Sequence, residues 1–328
     1  MRRFWIFFIL SCAILLLLGA ISLCAGSEDI PPSEVFGALF GGASDETSRD
    51  IILEIRLPRL AAGVFCGMML AGAGVAMQTL FKNPLADPSI TGVSSGAALG
   101  AAIAISAGAA FAFSVQISAL FFGLAATFAI WRLGRINGRL SAFSMLLAGI
   151  AINAFCGAMV GFFMYSVREA GVKGFVFWTL GSLENCSWRE IFCAAALGLP
   201  AWILLMANSR GLNMMMLGSD GARLAGANVN FLQKLSIFCA AVMTAAAVAM
   251  CGIIGFVGLV VPHICRMLTS PDNRFLLPLS SAFGAALVVF ADIAARLYSP
   301  LDTIPIGVIT AILGAPFFMY LLRRNGNA

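Results

Sequence analysis

A chain of 328 residues that is 61% hydrophobic and only 11% charged, at mean hydropathy +0.97, has too little polar surface to cover a water-soluble globule. No stretch between its apolar runs is long enough to bury a core of its own, so one polytopic membrane domain over residues 1–328 is expected. A single histidine (His263), nine scattered cysteines without a CxxC pair, and no lysine followed by Ser or Thr exclude the usual zinc and iron–sulfur spacings and a phosphate-binding loop. If nucleotide powers this protein, another chain binds it.

Charged residues mark where the chain leaves hydrocarbon, because an unpaired charge at the membrane centre costs roughly 3 kcal/mol or more. Arg3 to Glu28 encloses the first apolar run, which exceeds the core of a secretory leader and reads as a retained helix. Arg59 to Lys82 encloses the second, with Pro58 placed to start it. Asp87 to Arg132 is free of charge, and as one helix it would run about 66 Å at 1.5 Å per residue. Two spans are therefore expected there, with a turn between Gly108 and Gln116. Arg139 to Arg168 and Glu190 to Arg210 hold one span each.

Between Lys234 and Arg266, Gly252, Gly255, Gly258 and Pro262 break one long helix into a full span, a bend and a short span. Ser280 to Arg296 and Ile304 to Leu322 bring the total to about ten, an all-α bundle with one helix broken by Gly and Pro. With both termini in the cytoplasm, thirteen of the twenty bases and three of the fifteen acids fall inside, so the two sides carry +10 and −5. That asymmetry sets the orientation.

Glycines recur at i,i+4: Gly63 with Gly67, Gly92 with Gly96 and Gly100, and Gly157 with Gly161. Such faces let helix backbones approach in lipid, and all are expected to pack. Arg56 and Arg59, in Arg56-Leu57-Pro58-Arg59, sit outside the second span. They are either interfacial anchors pairing with Glu54 or a basic docking point for an acidic external partner. The outer loop 168–190 contains Phe175, Phe177, Trp178 and Trp188, either an interfacial belt or a mouth for a ring-bearing solute.

The longest internal loop, 211–234, has Ser219 or Asp220 placed to cap a short helix ending near Gly226. It either simply joins two spans or presents Leu217, Leu224 and Val229 to a soluble partner. His263, after Pro262, is expected to satisfy a freed backbone carbonyl. Asp292 and Arg296, four apart with the acid first, form a helical ion pair. Asp292 is also the one acid well inside a span, which counts against a proton- or sodium-coupled relay.

Several of these segments, taken in order, resemble the permeases of type II ABC importers, which carry iron–siderophore, haem and vitamin B12. They are Arg56-Leu57-Pro58-Arg59, Asn83-Pro84-Leu85-Ala86-Asp87-Pro88, Gly92-Val93-Ser94-Ser95-Gly96-Ala97, Phe177 to Leu183, Gly255 to His263, Leu301 to Gly307, and Gly314-Ala315-Pro316-Phe317-Phe318. The resemblance covers nearly the whole chain. It implies ten helices with both termini inside, a second permease copy alongside, two copies of an ATPase below and an extracytoplasmic binding protein above.

By that resemblance Arg56, Arg59 and Arg296 meet acidic residues of the binding protein. The coupling helix that enters the ATPase falls on Leu217 to Val229, with Leu217, Gly218, Ser219, Asp220, Gly221, Ala222 and Gly226 as its contact set. The chain departs from the family at Ser219, where an acid is common, and at Ala225, where Leu is common. The pathway would run down the permease dimer axis, lined by the fifth and tenth spans and gated near Trp178.

The expectation is thus a multi-pass subunit of the bacterial cytoplasmic membrane that imports an iron chelate, siderophore or haem, by alternating access. It would carry no catalytic residues, metal or cofactor of its own, ATP and Mg would sit on the partner ATPase, and nucleic acid is not a partner. A corrinoid permease of the same family is the alternative, followed by a stand-alone gradient-driven carrier. An intramembrane enzyme would need a nucleophile, base or metal set that these spans do not supply.

Overall fold

The protein is described by a computed structural model over residues 2–26, 29–42, 45–108, 113–136, 139–298 and 304–325. The apolar runs and charged breaks become α1 (Arg2–Cys24), α2 (Pro32–Phe40), α3 (Glu46–Asp50), α4 (Leu57–Phe81), α5 (Val93–Ser106), α6 (Ser114–Leu133), α7 (Ala142–Tyr165) and α8 (Glu169–Leu180). The second half adds α9 (Trp188–Ala207), α10 (Ser209–Met215), α11 (Ser219–Leu224), α12 (Val229–Cys251), α13 (Val257–Leu268), α14 (Asn273–Tyr298) and α15 (Ile306–Asn325). Seven helical stretches are long and apolar enough to cross a membrane, and α5, α13 and α15 contribute shorter apolar ones. Each expected span is therefore met by a helix, the one containing α4 running unbroken from Glu46 to Phe81 through a π-helical turn at Ile51–Arg56. Antiparallel strands β1 (Arg135–Ile136) and β2 (Arg139–Leu140) make a two-rung hairpin between α6 and α7. Leu301 to Thr303, part of one family motif, lie outside the described residues.

Helix position follows side-chain size. α4, rich in Ala and Gly, and α12, rich in Ala, lie at the centre with α14, whereas α1, α6, α7 and α9 expose Leu16, Phe121, Phe162 and Phe192 on their outer faces. A Cβ on Gly74 would overlap the Gly258 carbonyl oxygen, and one on Gly67 the Gly284 carbonyl, so α4 meets α13 and α14 backbone to backbone. Gly96 and Gly100 seat against α6 in the same way. Gly157 and Gly161 depart from the packing expected of them: among the described residues, nothing beyond their own helix backbone approaches within 4 Å of where their Cβ atoms would be. The α7 face that carries them is open.

The predicted break between α12 and α13 runs from Gly252 (φ 73°) to Phe256 (φ 67°). Glycine and an αL residue make it. Pro262 lies within α13 and does not end it. Helix α5 ends at Ser106 and α6 begins at Ser114, while residues 109–112 of the turn expected between Gly108 and Gln116 lie outside the described residues.

The chain's alternation brings the ends of α4, α9, α12 and α14 nearest Phe81, Ala207, Val229 and Asn273 to the face where α1 begins, here the N-terminal face. The opposite face collects the ends nearest Cys24, Arg56 and Arg296.

Candidate functional site

At the opposite face, helix α1 ends with no basic residue of its own in its last turn, leaving carbonyls without intrahelical donors. Guanidinium groups from distant helices fill that gap. Arg56 Nη1 donates to the carbonyl oxygens of Leu23 and Cys24, both at 2.7 Å. Arg296 Nη1 donates to Ser22 O (3.2 Å) and Ala25 O (3.1 Å), and its Nη2 to Ser22 Oγ (2.6 Å). The positive charge also complements the negative end of the α1 dipole.

Asp292 stands between the two remaining partners. Arg59 Nε donates to Asp292 Oδ1 at 2.8 Å, and Arg296 Nε lies 3.2 Å from Oδ2 as an ion pair whose alignment falls short of a hydrogen bond. The predicted Asp292–Arg296 pair is present, and Arg59 shares its carboxylate. Arg56, Arg59 and Arg296 are 5%, 9% and 9% exposed, so these guanidinium groups are held inward by their own chain. Trp188, read as interfacial, donates its indole N–H to Leu53 O at 3.2 Å and ties α9 to the turn leading into α4.

Beneath this cluster, α8 reaches the broken helix. Ser182 N donates to Cys251 O (2.8 Å) and Ile306 N to Gly181 O (3.0 Å), joining the end of α8 to the end of α12 and the start of α15. Phe175 is buried, Trp178 half-buried and Phe177 exposed. An apolar groove of about 640 Å³ runs from Thr179 and Leu180 along α15 to Met319. His263 meets the Phe317 ring edge-on at 6.3 Å, and its buried Nδ1 has no hydrogen-bond partner among the described residues, so the expected bond to a freed carbonyl is not seen at that atom.

At the N-terminal face the short helix expected in 211–234 is α11. Gly218, at φ 100°, is its N-cap without any side-chain cap, so neither Ser219 nor Asp220 serves as predicted. Gly218's backbone conformation makes the turn that a capping side chain would otherwise stabilise. Leu217 and Leu224 are 67% and 91% exposed, Asp220 projects into solvent, Gly221 lies against Leu217, and Ala222 is buried. Val229 does not join the exposed leucines. Gly226, at φ 84°, ends the segment, and Val229 is buried in the first turn of α12.

Behind α11 lies a polar network that the sequence pattern did not single out. Asn213 Oδ1 accepts from the Asn273 backbone N–H (2.7 Å) and Nδ2 (2.8 Å), and Asn213 Nδ2 donates to Asp272 Oδ1 (2.6 Å). Thr79 Oγ1 donates to Asn273 Oδ1 at 3.0 Å, which links α4 to α14. Arg274 beside Asp272, first through its side-chain hydrogen bonds, holds that carboxyl down at about 2. The one local signal was Asp272 just before a helix start, a position favoured for an acid. The amide partners come from far along the chain.

All nine cysteines are free, and among the described residues no group of His, Cys, Asp or Glu is arranged to hold a metal ion.

Comparison with known proteins places this geometry. The FecCD transport family matches residues 14–324. The cobalamin import permease of Halobacterium salinarum is 40% identical over 279 residues, covering 85% of this chain and 74% of that protein. The hemin transport permease of Yersinia pestis is 37% identical over 98% of this chain and 96% of its own length, and the vitamin B12 permease of Klebsiella pneumoniae is 37% identical over 98% and 94%. A solved metal-chelate type ABC transporter in an inward-facing conformation superposes with a TM-score of 0.86 at 29% identity, over 97% of this chain and 98% of that one.

Proposed function

The chain belongs to the FecCD transport family of ABC-importer permeases, and from that membership we propose that it carries an iron chelate, siderophore or haem, across the cytoplasmic membrane. The observation that carries the reading is similarity to a hemin permease over nearly the full length of both chains. A corrinoid cargo is the second reading, favoured by the 40% identity to a cobalamin permease. Family members are transport subunits that work with an ATPase and a binding protein, and covalent chemistry on the solute is not part of the proposal.

In this reading the N-terminal face lies in the cytoplasm, as the excess of basic residues there favours. Two copies of the chain pair across the open α7 face and the α15 groove, and the path runs between them. Two ATPase subunits, which bind ATP and Mg, grip Leu217, Gly218, Ser219, Asp220, Gly221, Ala222 and Gly226. The exposed Leu217 and Leu224 offer apolar contacts to such a cleft. ATP-driven closure moves α11, and rocking of the bundle alternates access. The binding protein docks on the face that carries Arg56, Arg59 and Arg296, where acidic side chains of the partner would meet guanidinium groups.

The test is reconstitution of the permease with its partner ATPase and binding protein in proteoliposomes, followed by uptake of labelled ferric siderophore, haem and cobalamin. ATP-dependent uptake of an iron chelate supports the first reading, and uptake of cobalamin alone moves the assignment to the second. Uptake that needs no ATPase and stops when an ion gradient is dissipated overturns both in favour of a gradient-driven carrier.

A further inference from the structure

On one side of the bundle, α12 forms the floor of a trench walled by α6 and, toward the opposite face only, by α9. Ala241, Ala246 and Ala249 line the floor, so the trench is deep enough to take chains from outside. Its two ends differ in charge. Toward the opposite face a cavity of about 260 Å³ is rimmed by Arg189 and Glu190, one charge of each sign. There Gln116 Nε2 donates to Glu190 Oε1 at 2.9 Å, and the Arg189 guanidinium lies 4.7 Å from the Phe113 ring centroid.

Toward the N-terminal face the trench widens to about 610 Å³ between α6 and the first turns of α12. Phe128, Phe231 and Phe238 stand 64%, 50% and 61% exposed along it, a surface that only hydrocarbon covers without cost. The charged group in this lining is Lys234. Close by, the Arg135 guanidinium lies 4.9 Å from the centroid of Trp131, which also lines the groove. Neither α6 nor α12 contains an acidic residue, so the two helices that line this groove offer no carboxylate to Lys234. An indole and a lysine at a span end are the groups that settle at headgroup depth.

We propose that this end of the trench is a binding site for an acidic phospholipid. An acyl chain lies over Ala241 between Phe128 and Phe238, and the headgroup phosphate is drawn to Lys234 on the rim that Trp131 shares. The mixed-charge outer end holds lipid without selecting the headgroup sign. The site depends on membrane insertion alone and is independent of what the chain carries.

The experiment reconstitutes the full chain in phosphatidylcholine bilayers doped with a small fraction of dibrominated phosphatidylglycerol or dibrominated phosphatidylcholine, and reads bromine quenching of tryptophan fluorescence. Subtracting the signal of Trp131→Phe isolates the Trp131 contribution. The brominated acidic lipid should quench that contribution several-fold more than the brominated zwitterionic lipid at equal fraction. Lys234→Gln should bring the two to parity, while Lys234→Arg keeps the difference. As a second readout, native mass spectrometry should find phosphatidylglycerol retained on the wild type and depleted from Lys234→Gln. Equal quenching by both lipids in the wild type, or a preference and retention undiminished in Lys234→Gln, overturns the proposal.

Discussion

Asp292 serves two guanidiniums, so neutralising it leaves Arg59 and Arg296 facing each other in a buried site. Breaking one partner of a buried ion pair costs about 3–5 kcal/mol. Asp292→Asn is expected to lose stability on that scale, seen as a lowered unfolding temperature in detergent. Glycine contacts give a second test. Gly74→Ala drives a methyl into the Gly258 carbonyl and should cost on the order of 1–3 kcal/mol, whereas Gly157→Ala meets nothing in the isolated chain and should stay within about 0.5 kcal/mol. Asp272 provides the pH test. Its carboxyl is held at about 2, below its ordinary 3.8, by Arg274 and Asn213. A depressed pKa contributes stability that is complete above the ordinary value and is lost as pH falls through the folded one. Acid unfolding between about pH 4 and pH 2 should therefore lose part of its steepness in Asp272→Asn.

Among the elements, α11 allows function to be separated from folding. Leu224 is almost fully exposed, so Leu224→Asp should leave stability within about 0.5 kcal/mol of wild type, yet ATP hydrolysis by the assembled transporter should proceed with uptake reduced several-fold. Full uptake in that variant, measured in proteoliposomes, removes α11 from the coupling role. The ten spans were legible in the sequence because unpaired charge and hydrocarbon exclude one another, and charge positions need no knowledge of neighbours. The break after Cys251 was legible for a similar local reason, glycine density. What was hidden depended on pairing across the chain: Arg56 and Arg296 finishing α1, Asn213 bridging to Asn273, and Gly157 lacking the close neighbour that Gly67 has. The pattern of Gly157 and Gly161 is the same as that of Gly63 and Gly67, and only the position of α7 at the edge of the bundle tells them apart. Likewise the helical continuation from Glu46 into α4 was masked by its charges, which lie beyond the apolar part of that helix.

For the whole molecule, the two faces have different electrostatic tasks. On the proposed outer face, Arg59 and Arg296 share Asp292 within a side that carries −5 overall, so the attraction for an acidic binding protein is local to the arginines, and its affinity should fall as salt rises. Surface plasmon resonance over a salt series checks this, and a flat response counts against the docking assignment. Reversing the arginines themselves is a poorer test, since each also holds α1 or Asp292 in place. Reversing acids on the binding protein isolates the contact.

The finishing of α1 also bears on how the chain is made. Its partner Arg56 follows 33 residues after Leu23, but Arg296 follows 274 residues after Ser22. The helix that enters the membrane first therefore keeps part of its end bare until nearly the whole polypeptide has left the ribosome. A nascent chain halted before α14 lacks both the Arg296 that closes that exit and the Asp292 that Arg59 pairs with.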